Sequence, residues 1–208
     1  MNIIPIVVGS FQVNCYVVGG TEGRCLVIDP GEDAGAISAV LRQNNLKPSA
    51  YLITHGHMDH VGALAELTET FPAPYLMHSA DAAWAFTSEN QMLPYYDSPA
   101  RPATAHLATT DGATHTEAGL HFTVLSTPGH SPGCICFHFP GDKVLFTGDT
   151  LFSGSVGRTD LDGGDERLLV QSLARLAALP DDTAIYPGHG PRTTLGREKR
   201  VNPFMKSR

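Results

Sequence analysis

Six consecutive residues, His55, Gly56, His57, Met58, Asp59 and His60, constrain this chain more than any other stretch. They follow the apolar run Tyr51, Leu52, Ile53, which reads as a buried strand, so three imidazoles and a carboxylate are delivered together at a strand end. Such a density of nitrogen and oxygen donors points to a metal site of the zinc, iron or manganese type. Calcium and magnesium prefer more oxygen, and a structural zinc finger would bring thiolates. His55 and His57 stand two apart and can share one ion. Asp59 and His60 point elsewhere and can hold a second. A plainer reading of the same residues is a helix start, with Asp59 capping the periodic segment Val61, Leu64, Leu67; the two readings are compatible.

The 208 residues suffice for one domain with a full hydrophobic core. No run of about 18 apolar residues is present, so no transmembrane helix is expected. The N-terminal stretch lacks a basic leader and a small-residue cleavage site, which makes the cytoplasm the default location. The four cysteines are too sparse for a disulfide framework and are read as small core residues, Cys134 and Cys136 included. The net charge of −7 is uneven, because residues 192–208 are basic and the rest is acidic. An acidic body argues against nucleic acid as a partner. The basic tail is read either as a solvated terminus or as a contact for an anionic substrate.

Strands are expected at Ile3 to Val8, Val13 to Val18, Arg24 to Ile28 and Ala50 to Ile53, with a helix from Asp33 to Asn44. A helix should then run from the histidine cluster to about Thr70, followed by a strand at Tyr75 to His78 and a helix at Ala80 to Phe86. From Thr87 to Asp111 the pattern dissolves, and a connection this long is expected to be a flap or a loose surface excursion. The second half echoes the first. A strand covers Leu120 to Leu125, a hairpin joins Cys134 to Phe139 with Lys143 to Thr147, a helix covers Asp165 to Ala178 and a last strand Thr183 to Tyr186. In each half a hairpin ends in aspartate, at Asp29 and at Asp149. Two β-rich halves with helices outside give an α/β sandwich with its ligands at one edge.

Each later strand also ends in a glycine-containing turn and then a metal-competent side chain, namely His130, Asp149 and His189. Rigid strand ends can bring these to one rim with the first cluster. His78, His106, His115, His121 and His138 lack that context and are read as ordinary surface or core residues.

Taken together, HGHMDH, TPGHSPG around His130, FTGDTLF around Asp149 and YPGHG around His189 resemble the metallo-β-lactamase superfamily. The flanks HGHMDHVGA, GSVGRTD and GHGPRTTLGREKRVNPF resemble its small glyoxalase-II-type, hydroxyacylglutathione hydrolase-like members. The resemblance implies an αββα sandwich over residues 1–208, a single domain without the C-terminal helical domain of the larger glyoxalase II enzymes. It implies two divalent ions, zinc first and iron or manganese as alternatives. His55, His57 and His130 would bind one, Asp59, His60 and His189 the other, and Asp149 would bridge them. A metal-bridging hydroxide would then cleave an acyl thioester such as S-lactoylglutathione, with His55, His57, Asp59 and Asp149 as the catalytic set and Arg158 holding a substrate carboxylate. Alternatives within the superfamily are an iron-dependent persulfide dioxygenase and a lactonase or β-lactamase. A metal-binding module without catalysis is the remaining one.

Overall fold

The computed structural model describes residues 1–206. In chain order its elements are β1 (Asn2–Val8), β2 (Val13–Gly19), β3 (Arg24–Ile28), α1 (Ala34–Gln43), β4 (Lys47–Leu52), α2 (Met58–Val61), α3 (Leu64–Thr70), β5 (Tyr75–His78), α4 (Ser79–Ala82) and β6 (His106–Thr109). The second half contains β7 (Thr114–Glu117), β8 (Leu120–Ser126), β9 (Ile135–Phe139), β10 (Val144–Gly148), β11 (Leu151–Phe152), β12 (Ser155–Val156), α5 (Glu166–Ala177), β13 (Ala184–Pro187), β14 (Thr193–Thr194) and α6 (Leu195–Val201).

Two six-stranded mixed sheets result, ordered β1-β2-β3-β4-β5-β6 and β14-β13-β10-β9-β8-β7. The inner strands β2 and β3 are buried on both faces, which is why they read as near-continuous hydrophobic runs. Tyr16, Val18, Leu26, Ile28 and Leu52 of the first sheet meet Phe122, Val124, Phe137, Phe139 and Phe146 of the second. On the opposite face of the first sheet, Val17, Val27 and Tyr51 pack on Ile37 and Leu41 of α1 and on Leu64 and Leu67 of α3. Behind the second sheet, Cys136, Leu145 and Ile185 pack on Leu169, Leu173 and Leu176 of α5. This is the αββα sandwich. Among the described residues no helix is long and apolar enough to cross a membrane.

The departures from expectation lie at edges. Between His57 and Thr70 there are two short helices, α2 and α3, and Asp59 sits inside the first turn of α2, whose N-cap is His57. The expected helix to Phe86 is only α4. The strands β6 and β7 are edge strands of polar, half-exposed sequence, so neither carries an apolar alternation to read. The basic tail folds as α6, capped by the Thr194 hydroxyl. Glu198 and Asn202 there are fully buried. The Glu198 carboxylate accepts from Thr193 Oγ1, the Gly154 amide and Asn202 Nδ2, locking the tail to the β11–β12 turn. Arg197 and Lys199 pair with Glu198 and Asp181. All four cysteines are buried and free, and Cys134 lies in the loop just before β9.

Candidate metal centre

All seven ligands expected from the sequence converge at one edge of the sandwich. The β4–α2 loop supplies His55 and His57, and α2 supplies Asp59 and His60. The loop after β8 supplies His130, the end of β10 leads to Asp149, and the end of β13 leads to His189. Donor atoms of three overlapping groups lie within 4.8 Å of one another: His55, His57 and His130; His55, His60 and Asp149; Asp59, His60 and His189. His57 Nδ1 is 2.9 Å from His130 Nε2. Asp149 Oδ2 is 3.5 Å from both His130 Nε2 and His189 Nε2, and Asp149 Oδ1 is 3.4 Å from His60 Nε2. One carboxylate thus faces ligands of both flanking groups. His106, His115 and His121 instead face Met77 O, Thr109 and Thr116, away from this cluster.

Partners on the far nitrogens fix the tautomers. A carbonyl only accepts, so His130 Nδ1–H donates to Arg158 O at 2.7 Å and His189 Nδ1–H donates to Phe11 O at 3.0 Å. His60 Nδ1–H donates to Asp29 Oδ2 at 3.1 Å. The Thr54 hydroxyl spends its hydrogen on Asp29 Oδ2, so its oxygen accepts from His55 Nδ1–H. Four Nε2 lone pairs therefore point inward, as ligating histidines require.

Among the described residues, the buried side-chain polar atoms without a hydrogen-bond partner are His55 Nε2, His60 Nε2, Asp149 Oδ1 and Thr104 Oγ1. Three of the four face this cluster, and each is a lone-pair donor that a cation would satisfy. Electrostatics agree. Burial, reinforced by the surrounding rings, holds His55 well below the ordinary histidine range, and burial with His130 lowers His57 to about 4, so both are neutral donors at pH 7. Burial also opposes a charge on His60, yet Asp59 and Asp149 override it and raise that ring. Burial would raise Asp149, but His60, His189 and His130 pull it far down; Asp59 is lowered by His60 and His189 against the same penalty. The two carboxylates demand positive charge between them. A divalent cation meets that demand, and the mixed nitrogen and oxygen donor set suits zinc, iron or manganese.

Close backbone approach makes the geometry possible. A Cβ on Gly188 would overlap Asp149 Oδ1 and lie 2.8 Å from His60 Cε1. Gly148 has φ +47°, and a Cβ there would overlap the Thr54 hydroxyl. We expect Gly188→Ala to weaken metal binding about 10–100-fold by displacing these two side chains. Calorimetric titration of the metal-free protein measures it, and an unchanged affinity would contradict the placement.

The supporting residues escape a search for ligands. Asp29 accepts from Thr54 N, Thr54 Oγ1 and His60. Its only sequence signal is its place at the end of β3, matching Asp149 at the end of β10. Asp81 and Asn90 are buried beside Gly56 and show no such signal. Asn90 also accepts from the Met58 amide, so the 87–111 segment helps build the loop that carries the ligands. Further along, the Tyr96 hydroxyl accepts from the Phe11 amide, and the two rings lie 4.9 Å apart. Arg158 brings its carbonyl to His130. Its guanidinium turns outward into a two-point pair with Asp160, at 2.6 and 2.7 Å.

Comparison with known proteins agrees with fold and site. The family described as "Metallo-beta-lactamase superfamily" matches residues 8–189. Hydroxyacylglutathione hydrolase GloC of Haemophilus influenzae is 37% identical, with 100% of each chain covered. The crystal structure of the BLEG-1 B3 metallo-beta-lactamase superposes with a TM-score of 0.91 at 37% identity, covering 99% of this chain and 100% of that one. That of TTHA1623 in a di-iron-bound form gives 0.81 at 41% identity, covering 97% and 99%. The ligand-bearing strand ends, the αββα layers and these full-length matches lead to one assignment: the chain belongs to the metallo-β-lactamase superfamily.

Proposed function

We propose that this protein is a dinuclear metallohydrolase that cleaves an acyl thioester such as S-lactoylglutathione. The observation that carries the two-ion reading is the set of three overlapping donor groups around one shared carboxylate, with His55 Nε2, His60 Nε2 and Asp149 Oδ1 otherwise unsatisfied. His55, His57 and His130 would hold one ion, Asp59, His60 and His189 the other, and Asp149 would serve both. Zinc is the expected metal, although the di-iron form of one relative supports iron as well. Held there, such ions would lower the pKa of water towards neutrality and supply Lewis-acid polarisation to an acyl group.

The chain's own residues orient this chemistry. Asp59 Oδ2 lies 3.5 Å from His189 Nε2 and 3.7 Å from His60 Nε2, and Asp59 retains slight solvent exposure, which suits a residue that orients the attacking water. Among the described residues, the carboxylates and imidazoles of the donor groups would be taken up by metal and Asp29 is tied to Thr54 and His60, so the centre offers no free general acid. A thiolate departs without one, which favours a thioester over an amide or a simple ester. The full-length similarity to hydroxyacylglutathione hydrolase GloC supports the same substrate class.

The test is a substrate panel on metal-loaded protein: S-lactoylglutathione, a lactone, nitrocefin, and oxygen uptake with glutathione persulfide. The thioester should give the highest kcat/KM. A higher value for lactone or nitrocefin, or oxygen consumption with persulfide, would contradict this reading.

Arg158 is assigned to the substrate carboxylate, in competition with Asp160. The pair is exposed, so solvent screens it and a substrate anion can displace it. Arg158→Ala should raise KM for a carboxylate-bearing thioester severalfold with little change in kcat, and Asp160→Asn should lower KM. An equal effect on a neutral thioester would exclude the role.

A further inference from the structure

One buried acid outside the donor set touches two of its histidine-bearing loops. Asp81, in α4, is fully buried. Its Oδ2 accepts from the Gly56 amide at 2.8 Å and from Ser131 Oγ at 2.5 Å, and its Oδ1 accepts from the Gly133 amide at 2.6 Å. Gly56 lies between His55 and His57, and Ser131 directly follows His130. These three histidines form one of the donor groups, and no ligand of the Asp59–His60–His189 group stands beside an Asp81 partner.

The approach is close on both sides. A Cβ on Gly133 would lie 2.6 Å from Asp81 Oδ1, and one on Gly56 would lie 3.1 Å from Asp81 Cβ. Both loops are therefore trimmed to fit around the carboxylate. Burial raises the carboxyl pKa, while Ser131, Gly56 and Gly133 pull it back by bonding the charged form. Three donors converge on a side chain that, as a carboxylate, only accepts. Among the described residues, no other residue outside these two loops reaches both through side-chain hydrogen bonds, although the loops also meet directly where His57 Nδ1 lies 2.9 Å from His130 Nε2. Asn90 braces only the first, through Gly56 O and Met58 N.

We infer that Asp81 is a positioning residue whose carboxylate joins the His55–His57 loop to the His130 loop and thereby sets the metal affinity of that half of the centre. The inference rests on the two-ion reading above. Asp29, by contrast, reaches His60 directly and His55 through Thr54, so it serves both halves.

Asp81→Asn is the direct test because it keeps shape and volume. Either oxygen replaced by NH2 presents a donor to at least one backbone N–H, so one bond is lost and turned repulsive. Outer-sphere partners of this kind change metal affinity by about 10–100-fold. Metal-free wild type, Asp81→Asn, His57→Ala and His189→Ala are titrated with Co2+ and Zn2+, following heat and the cobalt visible spectrum. In Asp81→Asn one binding step should weaken by about 10–100-fold with its cobalt band altered, while the other stays within about twofold. The residual step should match that of His57→Ala and differ from that of His189→Ala.

Leu176→Ala, a core truncation behind the second sheet, controls for general destabilisation and should lower Tm without splitting the two steps. If Asp81→Asn does not fold, Ser131→Ala removes one donor and should weaken the same step to a smaller degree. Equal weakening of both steps, or titration identical to wild type, would overturn the proposal. A wild-type protein that binds a single ion would instead overturn the two-ion reading. Asp81 would then be judged by whether Asp81→Asn weakens that ion and His57→Ala removes it.

Discussion

Asp149→Ala is expected to release both ions and to lower thioester turnover by about 10³-fold or more, because one carboxylate faces both halves of the centre. Removing it takes away the anionic donor that faces His60, His130 and His189 together. Neither histidine group replaces that charge: His55 and His57 are held neutral, and Asp59 reaches only the His60–His189 side. Elemental analysis after gel filtration gives the metal content directly. Retention of two tightly held ions would refute the bridge even if activity fell.

Asp29→Ala should have the largest effect on stability. Its carboxylate is buried and accepts from Thr54 N at 2.8 Å, Thr54 Oγ1 at 2.7 Å and His60 Nδ1 at 3.1 Å. Alanine leaves three buried donors without an acceptor at a cost of roughly 1–3 kcal/mol for each that finds no water. A net loss of about 3–5 kcal/mol corresponds to a fall of about 10 °C in Tm for a domain of this size. The tautomers of His55 and His60 lose their anchor in the same step, so metal affinity should fall as well. Thermal unfolding of the metal-free protein separates the two effects. A Tm within about 2 °C of wild type would show that Asp29 does not carry this network.

The centre was legible in the sequence because its donors sit where strands end. Histidine and aspartate after an apolar run and a glycine turn are conspicuous, and four such places converge in the fold. Inner strands β2, β3 and β10 were legible because a strand buried on both faces is largely apolar. What supports the donors was not. Asp29, Asp81 and Asn90 act through backbone amides and hydroxyls from distant loops, and no spacing rule ties Asp81 to Ser131 or Asn90 to Gly56. Edge strands such as Thr114–Glu117 escape because one side of the ladder is open and nothing forces apolar residues there. Helix α6 escapes because its run of basic residues imitates a solvated terminus, while the burial of Glu198 and Asn202 depends on the β11–β12 turn.

Arg158 meets the centre through its backbone as well as carrying the charge assigned to substrate. The GSVGRTD stretch does reach the centre, but through the Arg158 carbonyl on His130, while the guanidinium is held by Asp160.

The most direct test of the account is the rate of S-lactoylglutathione hydrolysis by metal-free protein as measured equivalents of Zn2+ are added, with Asp149→Ala beside it. The account predicts turnover that reaches its plateau at two equivalents and is absent from the variant. No hydrolysis at full occupancy, or a plateau at one equivalent, would contradict a dinuclear thioester hydrolase.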